Sequence, residues 1–171
     1  MQFETLSHRH AAALLEFECQ NRGYFERSIS PRPAEFYSEA GVHAHIESAL
    51  TRSEEVRGQL YLGVQAGQII ARANLNQIFA DQHAQIGYRV AERATGQGVA
   101  SACVAFLVDV ARKSGLQKLS AVVMSNNRAS ACVLLKNRFQ WVQSEPNAYQ
   151  HRGDSLHGFT YELSLFDGAN R

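Results

Sequence analysis

Gln85-Ile86-Gly87-Tyr88-Arg89-Val90, then Gly96-Gln97-Gly98-Val99-Ala100-Ser101 after a five-residue link, is the stretch on which the fold turns. The first six residues read as a strand and the glycines as a tight loop. From Gly98 to about Ser114, Val99, Cys103, Phe106, Leu107 and Val110 recur at helical spacing, with Gly115 as a C-terminal stop. A strand that runs through such a loop into a helix leaves several main-chain N–H groups without internal partners. Together with the positive end of the helix dipole they make a ready site for a phosphate or pyrophosphate. A phosphorylated small molecule, a cofactor by this reading, is expected there.

Working outward, the chain opens on a short strand and a helix from about His8 to Asn21 that turns Leu14, Leu15 and Phe17 inward. Arg22 to Pro33 is irregular, and a second helix is expected from about Ala34 to Thr51, with Phe36, Val42, Ile46 and Leu50 on one side. Leu60–Val64 and Ile69–Leu75 read as a hairpin turning at Ala66-Gly67, and Ala84–Val90 as a third antiparallel strand. Beyond the glycine loop and its helix, Lys118–Met124 is a buried strand. Asn126-Asn127 starts a short helix over Ala129–Arg138. Phe139–Gln143 and Phe159–Phe166 are the last strands, with a polar loop holding Pro146, Tyr149 and Gly153 between them. The order β-α-α-β-β-β-α-β-α-β-β describes one mixed α/β (α+β) domain over residues 1–171, with about seven strands flanked by helices.

Composition limits the function. The 171 residues are 45% hydrophobic and 19% charged, values of an ordinary globular domain. A net charge of +1, with no stripe of Lys or Arg, argues against nucleic acid as a partner. No apolar run is long enough to span a membrane, and Met1-Gln2-Phe3-Glu4-Thr5 does not read as a signal peptide, so a cytoplasmic location is expected. Cys19, Cys103 and Cys132 are odd in number and lie among Ala, Leu or Val in expected helices; they read as small buried hydrophobes. No metal site is expected: His43 and His45, two apart on a helix, point to different faces. His83 is expected to be exposed, and Phe139 and Trp141 to pack in the core or at a sheet edge.

A lone G-x-G is weak evidence, but its placement is informative. It follows an antiparallel meander, which disfavours a dinucleotide-binding βαβ unit, and no lysine follows Gly98 as a P-loop requires. Instead the element order and the loop Arg93-Ala94-Thr95-Gly96-Gln97-Gly98 resemble the GNAT (Gcn5-related N-acetyltransferase) superfamily, whose signature is Q/R-x-x-G-x-G/A. Ile86-Gly87-Tyr88 with Gly96-Gln97-Gly98-Val99-Ala100-Ser101 is similar to the "IGY…GxGxA(S/T)" stretch of the RimJ/RimL-like branch. Asn127-Arg128-Ala129-Ser130, Val133-Leu134 and Phe139 resemble that branch's "N-x-x-S…vL…GF" helix.

The resemblance implies two strands splayed beside the loop, with acetyl-CoA in the gap. Main chain of Tyr88, Arg89 and Val90 would pair with the pantetheine arm like an added strand. Amides of Gly96, Gln97, Gly98, Val99, Ala100 and Ser101 would hold the pyrophosphate, Asn127 would bond the arm, and Ser130 would lie near the thioester sulfur as the catalytic hydroxyl. The acceptor would be a primary amine: a protein N-terminal α-amine or a small molecule.

Four positions depart from that family's pattern. Leu134 stands where many relatives place a proton-donating tyrosine, Val122 where N-terminal acetyltransferases can carry a glutamate base, Ala102 where the branch has another glutamate, and Arg138 where it has the glycine of "GF". Glu26 and Arg27 in the first loop, and Tyr149, His151 and Arg152 in the late one, are possible walls of the acceptor site. A non-catalytic acyl-CoA-binding or regulatory domain stays open as the alternative, as does, more remotely, a nucleotide-binding module. Strand edges near the C-terminal end make a homodimer an expectation, because an open edge is a liability.

Overall fold

In the computed structural model, which describes residues 1–51 and 58–166, a single sheet organises the chain. Strand β1 (Gln2–Thr5) leads through a 3-10 turn at His8–His10 into helix α1 (Ala11–Phe25) and then α2 (Glu39–Thr51). The meander β2 (Gln59–Gln65), β3 (Gln68–Ile78) and β4 (His83–Val90) follows, then α3 (Val99–Lys113), β5 (Lys118–Met124), α4 (Arg128–Lys136), β6 (Gln140–His151) and β7 (Asp154–Ser164). The seven strands lie in the order β1-β2-β3-β4-β5-β7-β6. Every neighbouring pair is antiparallel except β4 and β5, which run parallel. The mixed α/β expectation with about seven strands therefore holds.

Successive strand residues point to opposite faces, and β4 shows which helices cover which. Arg89 reaches Glu18 of α1, whereas its neighbour Tyr88 reaches Ser130 of α4. So α1 and α2 cover one face, while α4 and its neighbour α3 cover the other. Leu14, Ile46, Leu62, Leu75, Leu107 and Leu119 are fully enclosed between these layers.

Several expected boundaries are corrected. Helix α1 runs on to Phe25 instead of stopping near Asn21, carrying Gly23 inside it. The second helix is broken into a 3-10 turn at Ala34–Phe36 and α2 from Glu39. Ser38 makes the break: its hydroxyl donates to the Glu35 carbonyl at 2.7 Å and accepts from the Gly41 N–H at 3.0 Å. Leu50 ends exposed.

The largest correction concerns the late loop. Residues 144–158 form most of a long hairpin, with β6 and β7 paired down to His151 and Asp154 and only Arg152-Gly153 turning. Pairing slips between Glu145 and Tyr149, where Pro146 has no N–H to donate and Asn147 takes a φ of 54°. His151 is consequently buried at the end of β6, Arg152 is in the turn, and Tyr149 lays its ring against Gly158.

Of the cysteines only Cys103 is buried, its thiol pushed up to about 12 by burial; Cys19 and Cys132 are exposed. His83 is half-buried, bonded to the Ser120 hydroxyl at 2.7 Å and stacked on Phe79. Phe139 is in the core and Trp141 is on the open edge, largely exposed.

Candidate active site

Strands β4 and β5 pair only at His83–Lys118, Ala84–Leu119 and Gln85–Ser120. Beyond Gln85, β4 continues to pair with β3 as far as Val90, and β5 with β7 as far as Met124. The two strands thus diverge while each stays fixed on its outer side. Their inner edges are left with main-chain donors and acceptors facing a gap, as a chain-like ligand requires.

The gap opens into a cleft of about 400 Å³. Tyr88, Arg89 and Val90 line it from β4, and Gly96, Gly98, Val99, Ala100 and Ser101 line it from the loop and the first turn of α3. Gly96 and Gly98 have φ of 72° and 80°, the left-handed region that favours glycine. Gly98 is itself the residue from which α3 starts, so the first N–H groups of a fifteen-residue helix point into the cleft mouth. Gln97 is set apart: its side-chain amide turns back to donate to the Arg93 carbonyl at 2.9 Å.

Asn127 and Ser130 line the opposite wall. The Asn127 side-chain oxygen accepts from the Ser130 N–H at 3.2 Å, capping α4. That bond orients the amide and leaves its NH₂ free for another partner. The Ser130 hydroxyl meets the Tyr88 hydroxyl at 2.8 Å, a bridge from β4 to α4. Burial pushes the Tyr88 phenol up to about 12, with the Ser130 bond partly offsetting it, so this hydroxyl stays protonated through the neutral range.

Expected and observed linings differ at the acceptor end. Glu26 and Arg27 are engaged elsewhere, Glu26 with Arg22 at 2.8 Å and Arg27 with Glu92 at 3.2 Å. Tyr24, Phe25, Ser28 and Ile29 line the cleft in their place. Cys132 and Lys136 on α4 also line it, and sequence reasoning missed both. They stand three residues after the lining residues Ala129 and Val133 and four from each other, so helical spacing places them on the same strip of α4. Tyr149, His151 and Arg152 do not line the cleft, Leu134 is fully buried beneath it, and Val122 is exposed outside it. Among the described lining residues there is no Asp, Glu or His. No group of three or more His, Cys, Asp or Glu among the described residues is arranged to hold a metal ion.

Behind Arg89 lies a buried charge cluster that no local pattern announced. Glu18 of α1 has no exposed surface and binds Arg72, while Arg89 Nη1 donates to Glu18 Oε2 at 3.0 Å. Arg32 comes within 3.5 Å of the same carboxylate. Burial pushes the Glu18 carboxyl up, but Arg72, Arg89 and Arg32 more than reverse this and hold it below its ordinary value. Burial, then Arg72 and Arg89, brings Arg32 down to about 10.

The same architecture occurs in known acetyltransferases. A ribosomal L7/L12 alpha-N-protein acetyltransferase, RimL, solved with coenzyme A, superposes with a TM-score of 0.86 at 21% identity, covering 95% of this chain and 92% of that one. The ribosomal-protein-S5-alanine acetyltransferase of Vibrio fischeri gives 0.90 at 17% identity over 97% and 93%. RimJ of Mycobacterium smegmatis, solved with a CoA-disulfide, gives 0.85 at 18% over 95% and 80%. Among curated protein sequences no match is found. Identities this low speak for the fold alone. The family model for the acetyltransferase (GNAT) domain, however, matches residues 1–140, which include the diverging strands, the glycine loop and α4, and on that match the chain belongs to the GNAT acetyltransferase family.

Proposed function

We propose that this chain transfers the acetyl group of acetyl-CoA to a primary amine by direct attack, with both substrates bound at once. One observation carries the reading: β4 and β5 separate after three residue pairs, directly beside a left-handed glycine loop and the start of α3. The separated edges suit the amide-bearing pantetheine arm, paired to Tyr88, Arg89 and Val90. The N–H groups from Gly96 to Ser101, Gln97 included through its main chain, suit the pyrophosphate. The Asn127 NH₂ would donate to the arm, its oxygen being held by the Ser130 N–H.

The acceptor enters from the Phe25–Ile29 side. Its nitrogen lone pair attacks the thioester carbonyl carbon, the carbon–sulfur bond breaks, the nitrogen loses a proton and the thiolate gains one. A main-chain N–H of the diverging strand meets charge developing on the carbonyl oxygen. The Ser130 hydroxyl, held by Tyr88, would donate a hydrogen bond to the departing thiolate, which takes its proton from water. With no carboxylate or imidazole on the described lining, the nitrogen's proton leaves through water. The proposed acceptor is a peptide α-amine or a small amine, in keeping with the ribosomal-protein acetyltransferases that share the fold. A cytoplasmic location, supported by the exposed free thiols of Cys19 and Cys132, and pairing of two copies along the exposed β6 edge belong to the same reading.

Calorimetry with coenzyme A and a thiol-release assay over a panel of amines test it. Binding with turnover on at least one amine is expected, and Gly98→Val should abolish both. Binding without turnover on any amine would indicate a cofactor-binding domain without catalysis, and no binding would sink the reading altogether.

A further inference from the structure

Among the described residues, the buried charge beside the acceptor end does not balance. One carboxylate, Glu18, faces three guanidinium groups, Arg72, Arg89 and Arg32, and among the described residues no second carboxylate pairs with any of them. The nearby acids are committed: Glu26 to Arg22 and Glu92 to Arg27. The Tyr37 phenol is held up by burial and by Glu18, so it stays neutral and adds no negative charge. His45 meets an Arg72 nitrogen at 2.9 Å. The Nε of Arg32 is buried without a hydrogen-bond partner. Among the described residues two positive charges are thus in excess, and in a low-dielectric wall they are costly to keep unless something negative joins them.

The three arginines are not equally enclosed. Arg72 is 2% exposed, but Arg89 and Arg32 keep 20% and 21% of their side-chain surface, and Arg89 lines the cleft beside Phe25, over whose ring its guanidinium lies. Arg89 leaves β4 on the face opposite Tyr88, and it shares the cleft lining with Phe25 and Ile29, the side from which the acceptor would enter. A charge held at Arg89 would then lie near the reacting amine.

We infer that the acceptor carries an anionic group, a carboxylate or a phosphate within about one residue of its amine, and that Arg89 with Arg32 behind it receives that group. The inference rests on the transferase reading and narrows it to acidic amines. Charge-assisted bonds to guanidinium are the strong ones, so the acid should be favoured over its neutral isostere by about tenfold or more in kcat/KM.

The test compares matched pairs with the intact protein: Ser-Glu-Ala against Ser-Gln-Ala, free aspartate against asparagine, and phosphoethanolamine against ethanolamine. These arms separate an acidic peptide, an amino acid and a phosphorylated amine as the source of the charge. Arg32→Gln, which leaves Glu18 paired with Arg72 and Arg89, should erode the acid preference several-fold while CoA affinity stays put and the melting temperature does not fall. Arg32→Lys should restore part of it. Should no amine turn over, calorimetry on the CoA-saturated protein compares binding of Ser-Glu-Ala and Ser-Gln-Ala. Equal treatment of acid and isostere in every pair, by turnover or by binding, would overturn the inference yet leave the transferase intact; loss of CoA binding would instead count against the transferase reading.

Discussion

Glu18 shows what a single residue can conceal. In sequence it is one more position on a helix whose Leu14 and Phe17 face inward, and nothing nearby marks it. Its partners Arg32, Arg72 and Arg89 come from a loop and two strands, so only the folded chain brings them together. The carboxylate is stabilising as a charge, since its folded value is held below the ordinary 4.5. A lowered value means that this contribution is present above about pH 4.5 and is lost as the pH falls below it. Glu18→Gln should therefore cost about 3–5 kcal/mol near neutrality, the range for breaking a buried pair, and should flatten the acid limb of stability against pH. Urea melts of both proteins between about pH 3 and pH 8 check this, and parallel curves would refute it. By contrast, Gly96, Gly98, Asn127 and Ser130 were legible beforehand, because a short local pattern contains both the loop and the helix start that place them.

Among elements, local signals served where they were strong and failed where a contact distant in sequence decided. The β2–β3–β4 meander, α3 and β5 were legible because apolar runs bounded by turn residues mark the strands and helical spacing marks α3. The late hairpin was not, because Pro146 and Asn147 look like loop chemistry, whereas pairing with β7 carries β6 past them as a bulge and leaves the turn to Arg152-Gly153. The broken second helix has a similar cause. A Cβ on Gly41 would stand 2.0 Å from the Glu35 carbonyl oxygen, so the approach of α2 to the preceding turn depends on its absence. Gly41→Ala should lower the melting temperature by several degrees, although alanine is the better helix former by about 1 kcal/mol. A melt at or above the parent value would show that the contact yields freely. At the other wall, Asn127→Ala removes the α4 cap and should cost about 1 kcal/mol in stability. It should also weaken CoA binding, whereas Asn127→Asp, which still caps but cannot donate, should preserve stability and lose only the affinity. The pair of variants separates the two duties by melting and calorimetry.

As a whole, the molecule is two sheet segments joined at one short seam. β1–β4 form one antiparallel set and β5–β7 another, and only three residue pairs of parallel strand connect them, reinforced by the α3–α4 packing. A ligand lying in the gap would touch both segments and tie them together, so its binding should be visible far from its phosphates. At a coenzyme A concentration about 100 times its Kd, linkage predicts about 2.7 kcal/mol of added stability, or a rise of roughly 5–10 °C in melting temperature for a chain this size. The sites of protection should be more telling than the size of the shift. Along Ile86–Val90 alternate amides are bonded to β3 already, and those facing the gap have no strand partner. Amide hydrogen exchange should show these gap-facing groups exchanging fast in the free protein and slowing sharply with coenzyme A, while their β3-bonded neighbours change little. Protection confined to the loop around Gly96 and Gly98 would mean that the phosphates are held but the arm is not paired along β4. The thioester would then have no fixed place beside Ser130, and transfer would need a different geometry from the one proposed.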